Sequence, residues 1–130
     1  MFVLDTNTLI YFFKGLGDVP TNFLQTSPQD IAIPSIVVFE LQTGIAKSTS
    51  PHKRRRQLAD LLSTVTVLPF GQHEAIRAAE IRVDLEQAGT PIGPYDILIA
   101  ATASTNNATL VTHNTKEFGR IPDLDIVDWY

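Results

Sequence analysis

Short apolar segments of strand length alternate with longer helical patterns along the whole chain. Strands are predicted at 2–4, 30–34, 65–68, 109–112 and 126–127, and helices at 6–14, 35–47, 51–62, 72–87 and 94–104. Parallel strands need helical crossovers of this kind, and no Asn-Gly or Asp-Gly hairpin signal is present. We therefore expect a three-layer α/β/α sandwich around a mostly parallel sheet of four to five strands.

Turn and cap residues set the expected helix limits. Gly15 and Gly89 are expected to stop the first and fourth helices, and Ser35 is expected to N-cap the second. Pro51 and the Gly-Pro pair at 93–94 open the third and fifth helices. One face of the 72–87 helix carries apolar residues at 75, 76, 79 and 83.

Length and composition narrow the class of protein. A chain of 130 residues fits one domain, which we expect to span 1–130. The absence of cysteine excludes disulfides, zinc–thiolate sites and thiol catalysis, and it suits a reducing cytoplasm. No apolar run approaches the roughly 18 to 20 residues that span a bilayer, and no basic leader region opens the chain. We expect a cytoplasmic protein without a membrane segment.

The net charge of −4 argues weakly against broad electrostatic binding of nucleic acid. However, four of the ten Lys and Arg residues lie together, at Lys53, Arg54, Arg55 and Arg56. This basic cluster is either a phosphate contact for RNA or the solvated start of a helix, and the sequence does not decide between the two.

Polar residues are predicted at the edge of the sheet where ligands bind, beyond the carboxyl ends of the strands. Asp5 closes the first strand, and His113 and Asn114 follow the fourth. Asp96 lies in the first turn of a helix that should begin at the same edge. Glu40 lies in the helix that follows the second strand.

Each acid also has a structural explanation. Asp5 could N-cap a helix, Glu40 could lie on an exposed stripe, and Asp96 could complement a helix dipole. Glu40 and Asp96 nevertheless stand in strongly apolar stretches, where an unpaired charge is costly. The convergence of several such groups at one edge carries the functional prediction.

Oxygen ligands without a Cys or a metal-spaced His pair suit Mg²⁺ or Mn²⁺. Such ions activate water and offset charge on a leaving phosphate, so phosphodiester hydrolysis is the natural chemistry. No G-x-S-x-G, Walker or Rossmann glycine pattern offers another catalytic class.

Four segments together resemble the motifs of PIN domains in order and spacing. They are FVLDTN at 2–7, PSIVVFELQTG at 34–44, GPYDILIAATA at 93–103 and LVTHNTKEFGRI at 110–121. The chain length and the final Asp128-Trp129 further resemble the VapC toxins, especially those described as initiator-tRNA endonucleases.

The resemblance implies a PIN-like fold and a Mg²⁺-dependent endoribonuclease that acts on structured RNA, in particular a tRNA. It implies a homodimer and a VapB-type antitoxin that blocks the active site. By motif match, Asp5, Glu40 and Asp96 would be the metal ligands. The apolar first helix is the one physical hint of a dimer, and it could equally be core or antitoxin groove.

One position departs from the family pattern. Many PIN domains carry an aspartate where this chain has Asn114, and an amide cannot supply a carboxylate's charge. Glu117, one helical turn later, is the alternative acid; otherwise a second metal site would be weak. Thr6 and Thr112 would orient carboxylates or water by hydrogen bonding.

Three other classes were weighed against the nuclease. Asp5-Thr6-Asn7-Thr8 faintly resembles the nucleophile loop of haloacid-dehalogenase-type phosphatases, but the second acid is missing. A receiver-type signalling domain would need an aspartate after the central strand, where 68–70 reads Leu-Pro-Phe. A non-catalytic binding module predicts that the acids share no site.

Overall fold

The computed structural model describes residues 1–130 and contains one parallel sheet with helices between its strands. The elements in chain order are β1 Phe2–Leu4, α1 Thr6–Lys14, α2 Val19–Gln25, a 3₁₀ turn Pro28–Asp30, β2 Ile31–Pro34, α3 Ser35–Ala46, α4 Pro51–Leu62, β3 Thr66–Leu68, α5 Gln72–Gln87, α6 Pro94–Thr105, β4 Thr109–Val111, α7 Thr115–Phe118 and β5 Ile126–Val127. The predicted α/β class and all ten predicted elements are confirmed.

The sheet has the strand order β3-β2-β1-β4-β5, and all four pairings are parallel. From the central strand β1, the chain adds β2 and then β3 on one side. It then returns across the sheet and adds β4 on the other side of β1. Right-handed crossovers place the helices before this reversal on one face of the sheet and the later ones on the other. The carboxyl ends of β1 and β4 therefore form the topological switch point, where open α/β sheets bind ligands.

The central strands are almost entirely apolar because both of their faces are covered. Val3, Leu4, Leu110 and Val111 are completely buried, and they belong to one core of 28 buried hydrophobic residues. The edge strand β3 is mostly exposed, with only Leu68 buried. The most deeply buried part of the sheet is thus the strand pair that carries the switch point.

The structure corrects one local prediction, the N-cap of α3, and shows which face of α5 is buried. Ser35 is the first residue of α3, and Pro34 is the N-cap residue, without a side-chain hydrogen bond. The apolar face of α5 is turned to solvent: Ile76 and Val83 are about half exposed, while Ala78 faces the core. The helices α2 and α7 had no counterpart among the predicted elements.

Gly15 ends α1 as predicted, in the left-handed conformation with φ of 70°. No helix of the structure is long and apolar enough to cross a membrane.

We predict that Leu110→Ala lowers the free energy of unfolding by about 2–5 kcal/mol, because it leaves a cavity beside the central strand pair. Urea unfolding followed by circular dichroism measures the effect. Leu24→Ala is the matched control, since Leu24 is 77% exposed, and it should change stability by less than about 0.5 kcal/mol. Equal effects of the two substitutions would contradict the placement of β4 at the centre of the core.

Candidate active site

Asp5 lies at the carboxyl end of β1, and hydrogen bonds connect it to β4 and to α1. Its backbone N–H donates to the carbonyl oxygen of Val111 at 3.2 Å, which ties the end of β1 to the end of β4. Its side-chain Oδ1 accepts a hydrogen bond from the Thr8 N–H at 2.9 Å, so Asp5 also N-caps α1. The structural and functional interpretations of Asp5 are therefore compatible.

Burial is the main influence on the Asp5 carboxylate. Only 5% of the residue is exposed. Desolvation raises the pKa of Asp5 above 3.8, and the negative charge of Asp128 adds to the rise, while hydrogen bonds from Thr112 and Thr8 oppose it. A cation near this side chain would stabilise its charged form.

Asp96 stands in the first turn of α6, facing other acids. Its pKa is raised from 3.8 to about 6, first by desolvation and then by the negative charges of Asp5, Glu40 and Glu117. These four carboxylates come from four different parts of the chain, so only the folded sheet edge brings them together. The charges of these acids therefore interact in the folded protein, whereas the non-catalytic binding module predicts that the acids share no site.

The remaining predicted site residues form two hydrogen-bonded pairs. Thr6 donates from Oγ1 to Glu40 Oε1 at 2.7 Å, a contact of the kind that the predicted role of Thr6 requires. Asn114 donates from Nδ2 to Glu117 Oε2 at 2.7 Å. This hydrogen bond fixes the Glu117 carboxylate beside the Asn114 amide, and which of the two residues fills the fourth acidic position stays a prediction.

Thr112 connects these pairs to Asp5. It is completely buried, its side chain hydrogen-bonds Asp5, and its Oγ1 accepts the backbone N–H of Asn114 at 3.0 Å. The loop after β4 is thereby fixed against the end of β1.

Asp128 is the charged group that the sequence analysis did not place in the site. It follows β5, and its Oδ2 lies 2.9 Å from His113 Nδ1. The rule that selected Asp5 applies equally to Asp128, because both residues directly follow parallel strands. The strand predicted at 126–127 already carried this signal.

The donor set fits a hard divalent cation. All of its charged members are carboxylates, and their mutual repulsion at Asp96 is what a cation would relieve. As the side chains stand, no three His, Cys, Asp or Glu residues are close enough together to enclose a metal ion. The assignment of Asp5, Glu40 and Asp96 as ligands stays a prediction.

The predicted basic cluster lies on α4. Lys53, Arg54, Arg55 and Arg56 are all exposed. Arg54 also lines a groove of about 310 Å³ between α1, α3 and α4, and Glu40 lies on the wall of the same groove. Only this one member of the basic cluster thus shares a surface with a site acid.

Comparison with known proteins agrees with the fold. The family model for the PIN domain matches residues 2–124. The tRNA(fMet)-specific endonuclease VapC of Salmonella typhimurium is 36% identical over 98% of this chain and 97% of its own length. Ribonuclease VapC2 of Rickettsia felis is 40% identical over 99% of this chain and 98% of its own.

A solved structure, VapBC2 from Rickettsia felis bound to a DNA fragment from its promoter, superposes with a TM-score of 0.92 at 38% identity. The match covers 99% of this chain and 98% of that one. The five-stranded parallel sheet with acids at its switch point is thus a PIN domain. The chain belongs to the PIN-domain family and, within it, to the VapC ribonucleases. The phosphatase and receiver alternatives are set aside by this match.

We predict that Asp96→Asn stabilises the metal-free protein at pH 7.5. The folded state holds the Asp96 proton more tightly than the unfolded chain does, so the charge costs stability as the pH rises from about 4 through 6. The raised pKa of Asp96 corresponds to a loss of folding stability of about 3 kcal/mol, which solvent screening reduces to about 1–2 kcal/mol. Unfolding in EDTA at several pH values measures it.

The gain from Asp96→Asn should shrink as the pH falls from 6 towards 4 and should vanish only below about pH 3, where Asp96 is protonated in both the folded and the unfolded state. Asp84→Asn, an exposed change on α5, is the control and should have little effect at any pH. A gain that is independent of pH, or a loss, would contradict the electrostatic description of the site.

Proposed function

We propose that this chain is a Mg²⁺-dependent endoribonuclease toxin that cleaves a tRNA, with initiator tRNA as the first candidate. The observation that carries the proposal is the convergence of Asp5, Glu40, Asp96 and Glu117 at the switch point of the sheet. The VapC relatives named above, one of them specific for tRNA(fMet), supply the substrate class. The whole chain would act as one cytoplasmic domain.

Asp5, Glu40 and Asp96 would hold the cation, with Mn²⁺ as a substitute. When bound, a hard divalent ion supplies charge stabilisation at phosphate oxygens and lowers the pKa of water. The residues of this chain have complementary tasks. Thr6 fixes the orientation of Glu40, while Thr112 and Asn114 hold Asp5 and Glu117 from the β4 side.

The groove beside Glu40 is where we place the antitoxin. Its walls include the apolar residues Ile10, Phe13, Leu41, Ile45 and Leu58. An apolar segment of a VapB-type partner lying there would reach the acid site through Glu40 and block it. The solved relatives that are VapBC complexes support such a partner.

A homodimer belongs to the same proposal. The sequence hint was the first helix, but Leu9 is fully buried and Phe13 lines the groove, so α1 is committed to the core and the groove. The exposed Ile76 and Val83 on α5 offer a more accessible apolar face for a second copy.

We predict that Asp5→Asn and Glu40→Gln each reduce cleavage of tRNA by at least about a hundredfold. Each removes a charge but keeps the oxygen that accepts from Thr8 or Thr6, so the fold should persist. Gel analysis of bulk tRNA incubated with Mg²⁺ or with EDTA measures the effect. Asp84→Asn should cleave like the wild type.

Full activity of folded Asp5→Asn protein would overturn the assignment of the metal ligands. Equal cleavage in Mg²⁺ and EDTA would contradict metal dependence while leaving the ribonuclease class intact.

We predict a graded effect of the basic cluster on RNA affinity. Arg54→Ala should weaken binding and reduce its salt dependence, because Arg54 shares the groove with Glu40. Arg56→Ala is the comparison on the same helix. Filter binding of tRNA to the Asp96→Asn protein at several salt concentrations tests this. If Arg54→Ala leaves the salt slope unchanged, the solvated-surface interpretation holds.

A further inference from the structure

Three aromatic rings lie together beside the acid site, and the proposed hydrolysis gives them no task. The His113 and Tyr130 rings stack with centroids 4.3 Å apart and planes inclined by 25°. Tyr11 meets both rings edge-on, at 5.9 Å from His113 and 5.0 Å from Tyr130. The stacked pair is accessible, since 47% of the His113 side chain and 44% of Tyr130 are exposed.

Asp128 fixes both members of the pair at once. Its Oδ2 lies 2.9 Å from His113 Nδ1, and its Oδ1 accepts the backbone N–H of Tyr130 at 2.9 Å. The carbonyl oxygen of Tyr130 accepts the N–H of Asp18 at 2.7 Å. Exposed aromatic residues rarely have so many constraints, so this pair is held in one geometry before any ligand arrives.

Gly17 makes the close approach of Tyr130 possible. A Cβ at this position would lie 2.7 Å from the carbonyl oxygen of Tyr130 and 2.8 Å from its Cγ. The φ of +60° at Gly17 also favours glycine. The loop after α1 is therefore shaped to seat the Tyr130 ring.

The stacked pair adjoins the acids through the chain itself. His113 follows Thr112, which hydrogen-bonds Asp5, and it precedes Asn114, which hydrogen-bonds Glu117. A nucleotide whose phosphate lies among the carboxylates would have its neighbouring base within reach of these rings.

The negative charge near the stacked pair favours a nucleobase over a phosphate group as its ligand. Asp128 beside the rings, and Asp5 close to Asp128, disfavour a second phosphate there. Flat aromatic faces bind the faces of unpaired bases, and this is the usual way in which proteins recognise single-stranded RNA. Asp128 contacts the imidazole at Nδ1, on the edge of the ring and not on its face.

We propose that the His113–Tyr130 stack is a binding subsite for one unpaired nucleobase of the RNA substrate, adjacent to the cleaved phosphodiester. The proposal rests on the ribonuclease function proposed above and adds a determinant of substrate choice. It explains why cleavage would require a loop or another unpaired segment, since a paired base cannot stack on the rings.

The test uses the full-length protein and the tRNA that it cleaves. After the cut site is mapped, a short hairpin containing it is made, together with versions in which each unpaired nucleotide near the cut lacks its base. Wild type, His113→Ala, Tyr130→Ala and Tyr130→Phe are compared by kcat and KM. His73→Ala is the matched control, because His73 is an exposed histidine on α5.

We expect His113→Ala and Tyr130→Ala to raise KM by about 5- to 100-fold on the intact hairpin, as expected for loss of one stacked base. Tyr130→Phe and His73→Ala should stay within about twofold of wild type. One abasic hairpin should be a poor substrate for the wild type, and His113→Ala should cleave it no worse than it cleaves the intact hairpin.

Wild-type values of kcat and KM in both alanine variants would overturn the nucleobase subsite while leaving the nuclease in place. The same would follow if removing the base and substituting the protein residue reduced cleavage by independent factors that multiply. Failure of the wild type to cleave tRNA at all would overturn the proposed function, and the subsite with it.

Discussion

The parallel pairing of β1 with β4 is the interaction on which the rest of the structure depends. It places the ends of two buried strands side by side, and the hydrogen bond from Asp5 N–H to the Val111 carbonyl closes that edge. Thr8 adds a second bond to the same carbonyl, from its Oγ1 at 3.1 Å. Because the strand order reverses here, helices from both halves of the chain begin around one crevice.

This crevice brings together negative charges whose mutual repulsion is unfavourable in the metal-free protein. Burial and mutual repulsion raise the pKa of Asp5 and Asp96, so the metal-free protein holds its acids at a cost in stability. Hydrogen bonds from Thr6, Thr8, Thr112 and Asn114 keep the carboxylates in place despite that cost. Such arrangements are expected where a site is organised for a cation.

Most of the fold and the acid set could be predicted from the sequence. Apolar strand segments and clear helix limits fixed the α/β class, and the strand-end rule found Asp5 and Asp96. The helix α2 was missed because it is short and buries only Val19 and Phe23. Ser35 was misplaced because Pro34 belongs both to the end of β2 and to the start of α3.

What escaped prediction depends on contacts between distant segments. The exposed face of α5 could not be recognised, since an apolar stripe does not reveal which side meets α6. Asp128 and the His113–Tyr130 stack arise only when β5 pairs with β4 and the following residues reach the loop at Gly17. The groove beside Glu40 likewise requires the packing of three helices.

Mn²⁺ binding measured by electron paramagnetic resonance tests whether Asp5 and its neighbouring acids form a divalent-cation site. We expect wild-type protein to bind Mn²⁺, Mg²⁺ to compete for the same site, and Asp5→Asn to weaken binding at least about tenfold. Unchanged Mn²⁺ affinity in folded Asp5→Asn protein would contradict such a site.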